Sequence, residues 1–395
     1  MSQRQAFVEK HWRALVFFAA LAARLAFLAF WNHGNYTEKY GYDPYISIAQ
    51  YWLGWVAPVS DVTHPPVYTI WVTLLFLVAG KASLLVVQLA NIVLASASCV
   101  LLGLWAERAV SRPLGRLSGA WAAFDPLLIF FSVQVQSEPF FIFLELLFFL
   151  GLQSLGAVPA AVMPVIALGA LGGTLTLTRS VFAVYPVFLL PTLIAPDWRR
   201  AKSWLWLALL AGWMIPISFW AARNAVKHRE FIPLALNGGW NLWEGFTLDR
   251  EEVRRRPPEM AAELRREGLD PANPKVAGEY FAKKTKNFIL AHPGEALKII
   301  TGKFFLYWRP WPYDPHQKSI RGVLAAYFSL LFFFALLGLR ATRPHWRALA
   351  PAFALIVYLS LLHSVFFTSL RYRSPLEPFL CVLAAAGLLS LRRKS

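Results

Sequence analysis

Long apolar runs constrain this chain more than any other feature. They fall at about 12–31, 82–105, 138–155, 158–177, 203–222, 321–339, 348–366 and 375–391, with shorter ones at about 67–80, 117–131 and 181–195. A helix needs about 20 apolar residues to cross the hydrocarbon core. Inside that core, only helices and closed barrels satisfy their own backbone groups. The chain therefore reads as an all-α polytopic membrane protein. Composition agrees, with 57% hydrophobic and only 15% charged residues over 395 positions. The first run, His11–Trp31, is too long and too rich in Phe for a cleaved signal peptide and reads as a retained helix.

A net charge of +17 raises the question of nucleic acid. Basic residues of membrane proteins gather at cytoplasmic helix ends, which accounts for most of them here and excludes a nucleic-acid partner. With both termini inside and 67–80 lying in the interface, the cytoplasmic pieces carry Arg4, Lys10, Arg13, Arg108, Arg112, Arg116, Arg199, Arg200, Lys202, Arg340, Arg343, Arg347 and the Arg392–Lys394 run. The short outer loops then carry only Lys39, Arg179, Arg371 and Arg373. A full crossing by 67–80 would invert that asymmetry. Cys99 and Cys381 both sit in apolar runs and read as small core residues, not as a disulfide or metal site. The expected domains are an N-terminal transmembrane module over 1–222 with a first outer loop at 32–66, a large extracytoplasmic loop over 223–320, and C-terminal transmembrane helices over 321–395. The large loop holds three helix-like runs, Pro258–Glu267, Val276–His292 and Pro293–Trp308, the last resembling an interfacial helix.

Polar islands interrupt the apolar pattern on the outer side. In "GYDPYISIAQYW", Asp43 stands before Pro44 as an N-cap residue, and an ionised carboxylate there also suits a general base. His64 precedes Pro65-Pro66, where a short helix start would favour an anion. "QVQSEPFF" brings Glu138 to a helix start, with Glu145 further in, and Arg24 lies within the first run. Intramembrane charges of that kind face a bundle interior, and Arg24 is expected to pair with Glu145 or Asp125. Arg179 sits in the short connection "LTLTRS". Arg223 and Asn224 follow the 203–222 run, "NGGWNLWEGF" holds Asn241 and Glu244 with Trp240 and Trp243 as interface anchors, and "SLRYRSPLEP" holds Arg371 and Arg373. An outward arginine pair needs an anion, whether a headgroup, a phosphate or a carboxylate.

The strings "GYDPYISIAQYWL", "HPPVYTIWV", "QSEPFFIFLELLFFL", "TLTRS", "WAARNAVKHREFIPLALNGGWNLWEG", "HPGEALKIITGKFFLYW" and "RYRSPLEPFL" occur in one order over about residues 12–390. In that order they resemble the membrane-embedded GT-C glycosyltransferases that use polyprenyl-phosphate sugars. Relatives in that class include bacterial lipid A aminoarabinose transferases and protein O-mannosyltransferases. The resemblance implies a GT-C-like bundle of about 10–11 transmembrane helices with outer-face interfacial helices. It implies Asp43 as catalytic base, although relatives often carry two adjacent acids where this chain has Pro44. It also implies His64, Arg179, Arg371 and Arg373 as donor-phosphate contacts.

The expected function is inverting transfer of a hexosyl or pentosyl group from a polyprenyl-monophosphate donor to an acceptor hydroxyl. Glu138, Arg223, Asn241 and Glu244 are candidate acceptor or sugar contacts. The acceptor is a lipid, glycan or protein, membrane lipids are the remaining partners, and the setting is the bacterial inner membrane with the site on its periplasmic side. No cofactor is firmly implied, and no ligand cluster supports a divalent metal. The alternative is a transporter or flippase for lipid-linked sugars, for which such charges bind a headgroup in transit.

Overall fold

A computed structural model describes residues 3–31, 44–157, 161–193, 204–246, 259–311 and 318–392. Asp43 and the rest of 32–43 lie outside the described residues. Among those described there are helices and no strands. In chain order they are α1 (Gln3–Trp31), α2 (Pro44–Trp52), α3 (Pro66–Ala79), α4 (Leu84–Ala109), α5 (Arg112–Ala123), α6 (Pro126–Ser132), α7 (Glu138–Ala157), α8 (Val162–Thr178) and α9 (Tyr185–Leu193). There follow α10 (Trp204–His228), α11 (Gly238–Phe246), α12 (Pro274–Ala291), α13 (Pro293–Tyr307), α14 (Lys318–Ala341), α15 (Trp346–Val365), α16 (Leu370–Arg373) and α17 (Glu377–Arg392).

Six helices are long and apolar enough to cross a membrane: α1, α4, α7, α10, α14 and α15. Shorter apolar helices join them at Pro66–Ala79, Val162–Thr178 and Ser180–Thr192, and the largely buried α17 packs along α14. The all-α polytopic architecture read from the apolar runs is what the chain adopts. One run is not one helix: 117–131 is broken at Asp125-Pro126 into α5 and α6. The Asp125 side chain caps α6 by accepting from the Leu128 N–H at 2.9 Å, and Pro126 occupies the first turn. Tyr327 of α14 donates to the other Asp125 oxygen at 2.8 Å, which pins this break inside the bundle.

Glycines set the closest helix crossings. A Cβ on Gly169 or Gly173 of α8 would collide with the Leu209 or Trp213 carbonyl of α10, and one on Gly172 with the Trp213 ring. Gly338 of α14 and Gly387 of α17 approach each other's helix in the same way. Without a hydrophobic driving force between helices in lipid, close backbone approach is a main source of association. Arg24 is fully buried and donates to the Ala20, Ala122 and Ala123 carbonyls and to Cys99 Sγ. It pairs with neither Glu145 nor Asp125, because the end of α5 offers it carbonyls that the Asp125-Pro126 break leaves without helical donors.

α10 also runs further than the apolar run suggested. It ends at His228, so Arg223 and Asn224 are helical residues and not the start of a loop. Within the expected large loop, helical residues 259–266, α12 and α13 match the helix-like runs read there, and Pro293 takes the first turn of α13. α11 packs on α12, and α13 on α15. Trp240 and Trp243 pack on Phe281 in a small satellite core with Met260 and Leu264.

Candidate functional site

At one end of the bundle, three helix ends bring charges together. Glu138 is the first residue of α7, Arg179 follows α8, and Arg371 lies in α16. Arg179 Nη1 donates to Glu138 Oε1 at 2.7 Å, and Arg371 Nε donates to the same oxygen. Glu138 is fully buried and Arg179 nearly so, while the Arg371 side chain is 34% exposed. Two guanidinium groups on one carboxylate leave a surplus positive charge at a partly open position. Glu138 Oε2 and Gln136 Oε1 accept no hydrogen bond among the described residues. Rings wall the cluster: Arg179 lies over Phe141 at 5.8 Å and over Tyr372 at 5.6 Å. His363 stacks between Tyr372 and Tyr307 behind them.

His64 joins this cluster through α2. Its ring meets Tyr45 at 5.6 Å, and its Nδ1 lies 3.1 Å from Thr63 Oγ1. Burial, and then the Arg371 charge, push its pKa down to about 4. His64 is therefore neutral at neutral pH and has a ring N–H to donate. Burial raises the Tyr45 hydroxyl pKa, against the opposing charge of Arg371. Tyr45 is the second residue of α2, and Pro44 opens that helix as the sequence reading expected.

The remaining candidates lie apart. Arg373 points into the bundle, fully buried. Its Nε donates to Glu377 Oε1 at 2.7 Å, its Nη1 to the Arg309 carbonyl at 2.9 Å, and its guanidinium lies over Phe328. The outward arginine pair is thus split, each member on its own carboxylate. Asn241 and Glu244 sit on α11, where Glu244 accepts from Trp240 Nε1 at 2.7 Å. Gly245 of the same helix touches the end of α15, and Lys303 Nζ ties the Val365 and Phe366 carbonyls there at 2.7 and 3.2 Å.

Arg223 belongs to a second cluster that sequence reasoning missed. Asp61, in the α2–α3 loop, is 1% exposed. It accepts from Trp52 Nε1 at 2.9 Å, Lys227 Nζ at 2.8 Å and Arg223, and His228 Nε2 lies 3.0 Å from its other oxygen. Burial alone would raise the Asp61 pKa. The hydrogen bonds from Arg223, Lys227 and Trp52 outweigh burial and hold it below the usual carboxylate range. One signal could have found this cluster: Arg223 and Lys227 are four apart, and so share a face once the helix is carried to His228. Among the described residues, no three His, Cys, Asp or Glu side chains converge as a metal site would require.

No family model and no curated protein matches this sequence. Solved structures do. The Archaeoglobus fulgidus oligosaccharyltransferase AglB, in complex with an inhibitory peptide and a dolichol-phosphate, aligns at TM-score 0.53 and 11% identity over 98% of this chain. Its apo form aligns at TM-score 0.52 and 12% identity over the same share. The likeness is one of fold. The chain spans about half, 51%, of the length of those structures.

Proposed function

We propose that this protein is an inverting glycosyltransferase that moves a sugar from a polyprenyl-monophosphate donor to an acceptor hydroxyl on the extracytoplasmic side of a bacterial inner membrane, with both termini cytoplasmic. The observation that carries the reading is the convergence of Arg179 and Arg371 on the single Glu138 oxygen, in a chain of GT-C fold. The dolichol-phosphate in the archaeal neighbour supports a lipid phosphate as ligand for this fold. The arrangement of basic residues along the sequence supports the sidedness.

In this reading the donor phosphate lies against Arg371 and Arg179, with the His64 N–H as a neutral third donor. The acceptor oxygen attacks the anomeric carbon from the face opposite the phosphate. The bond from that carbon to the phosphate oxygen breaks, its electron pair leaves with the prenyl phosphate, and Asp43 takes the acceptor proton. The leaving group is already an anion, so it needs no strong acid. It needs fixed positive charge where its own charge grows, which the arginines supply. The unsatisfied oxygens of Gln136 and Glu138 suit the hydroxyls of a sugar. Asn241 and Glu244 on α11 are the proposed acceptor contacts.

The test is a proteoliposome assay with labelled prenyl-phosphate sugars and candidate acceptors. Prenyl phosphate released only when acceptor is present, and reduced about 10²–10⁴-fold by Asp43→Asn, is the expected result. Donor that crosses the bilayer uncleaved, or full transfer by the Asn variant, would overturn the reading.

A further inference from the structure

The end of α10 carries more positive charge than Asp61 can balance. Arg223 and Lys227 contact Asp61, and Arg229 follows, exposed, just beyond the helix. Among the described residues, one carboxylate and the carbonyl end of α10, equivalent to about half a negative charge, stand against these three permanent cations. Glu230 does not add to them, because it pairs with Lys275 at 3.1 Å. The Arg223 and Lys227 side chains remain 31% and 37% exposed. Each is braced by a ring, Trp220 at 4.7 Å and Tyr51 at 4.9 Å, so the heads are held at the surface.

The surroundings of these cations are apolar and open. Val226, Phe231 and Phe219 are 84%, 80% and 75% exposed, and Trp55, Val56 and Val59 of the Asp61 loop are exposed as well. Bases interleaved with bare apolar side chains match an amphiphile, with its anion at the bases and its chains along the helix. Arg229 also has φ +57, a left-handed backbone that glycine adopts more readily, yet a basic residue occupies it.

We infer that Arg223, Lys227 and Arg229 form a site for the phosphate of an anionic phospholipid at the rim of the bundle, separate from the Arg179–Glu138–Arg371 cluster. The bound phosphodiester meets Lys227 and Arg229 directly, while Arg223 stays on Asp61 and lends its charge. A lipid seated there fastens the α2–α3 loop, and with it His64, to the membrane surface.

Native mass spectrometry of the full chain, released from mixed micelles of phosphatidylglycerol and phosphatidylcholine, tests the inference. The expected result is selective retention of phosphatidylglycerol. The Lys227→Gln/Arg229→Gln double variant should weaken that retention roughly 10- to 30-fold, the scale for two basic side chains at an anionic surface. The charge-conserving Lys227→Arg/Arg229→Lys pair, with the same thermal midpoint as wild type, should retain it. Equal retention of the two lipids would overturn the site, as would a Gln double variant that holds phosphatidylglycerol as wild type does. Displacement of the lipid by millimolar inorganic phosphate would also overturn it, by showing that the phosphate alone is read. Displacement by prenyl phosphate at equal concentration would assign the site to the donor, and overturn it as well.

Discussion

Single side chains at the site end divide into cations with work left to do and cations already satisfied. Arg371 is partly open and shares its carboxylate, whereas Arg373 is sealed against Glu377. Arg371→Gln is therefore expected to lower transfer by roughly 10²–10³-fold, the usual loss for one donor to a developing oxyanion, while the fold survives because Arg179 still pairs Glu138. His64→Gln should cost less, about tenfold or below, because it replaces one neutral donor with another. Steady-state kinetics on the two variants checks the order. The same histidine predicts an acid response. Its folded pKa of about 4 lies below the ordinary value near 6.5, so its contribution to stability is complete above about pH 6.5 and is lost as pH falls from there toward 4. Asp61, held below its ordinary value near 3.9, contributes fully above that value and loses its share only at lower pH. Thermal midpoints in nanodiscs across pH 7 to 3 should show His64→Gln flattening the upper part of the decline and leaving the part below about pH 4 in place.

Among the elements, the glycine-faced crossings decide whether the site ends meet at all. α8 delivers Arg179, and its approach to α10 depends on Gly169, Gly172 and Gly173. Gly173→Leu should force these helices apart and lower the thermal midpoint by several degrees, since overpacking a tight contact costs about 1–3 kcal/mol. Gly294→Leu on α13, where a side chain would meet open space, should leave the midpoint within a degree or so. Most helices were legible in the sequence because apolar length is a direct physical demand of the bilayer. The breaks were less so. Asp125-Pro126 hides inside a continuous apolar run, and the last turns of α10 are polar, so a hydropathy reading stops short of Lys227 and His228. The Asp61 cluster was lost with them, since the four-residue spacing of Arg223 and Lys227 pairs the two bases but does not tie them to a loop acid some 160 positions earlier. Glu138, Arg179 and Arg371 were each legible as charges out of place, but their meeting on one oxygen was not.

For the whole molecule, the proposed sidedness and the proposed ligand rest on two features, the Glu138 cluster where α7, α8 and α16 meet and the basic residues at other helix ends. Both native cysteines are buried, so single introduced cysteines report cleanly. Glu295→Cys, exposed at the site end, should react with a membrane-impermeant maleimide on intact cells, and Arg343→Cys, at the opposite end of α15, only after permeabilisation. The reverse pattern would put the site on the cytoplasmic face. In the proposed reading, the paired arginines Arg179 and Arg371 hold a lipid phosphate. Equilibrium binding of polyprenyl phosphate to the protein in nanodiscs tests it most directly. Saturable binding is expected, weakened at least about tenfold in Arg179→Gln and again in Arg371→Gln, as loss of a charge-assisted hydrogen bond requires. Affinity unchanged in both variants would contradict it.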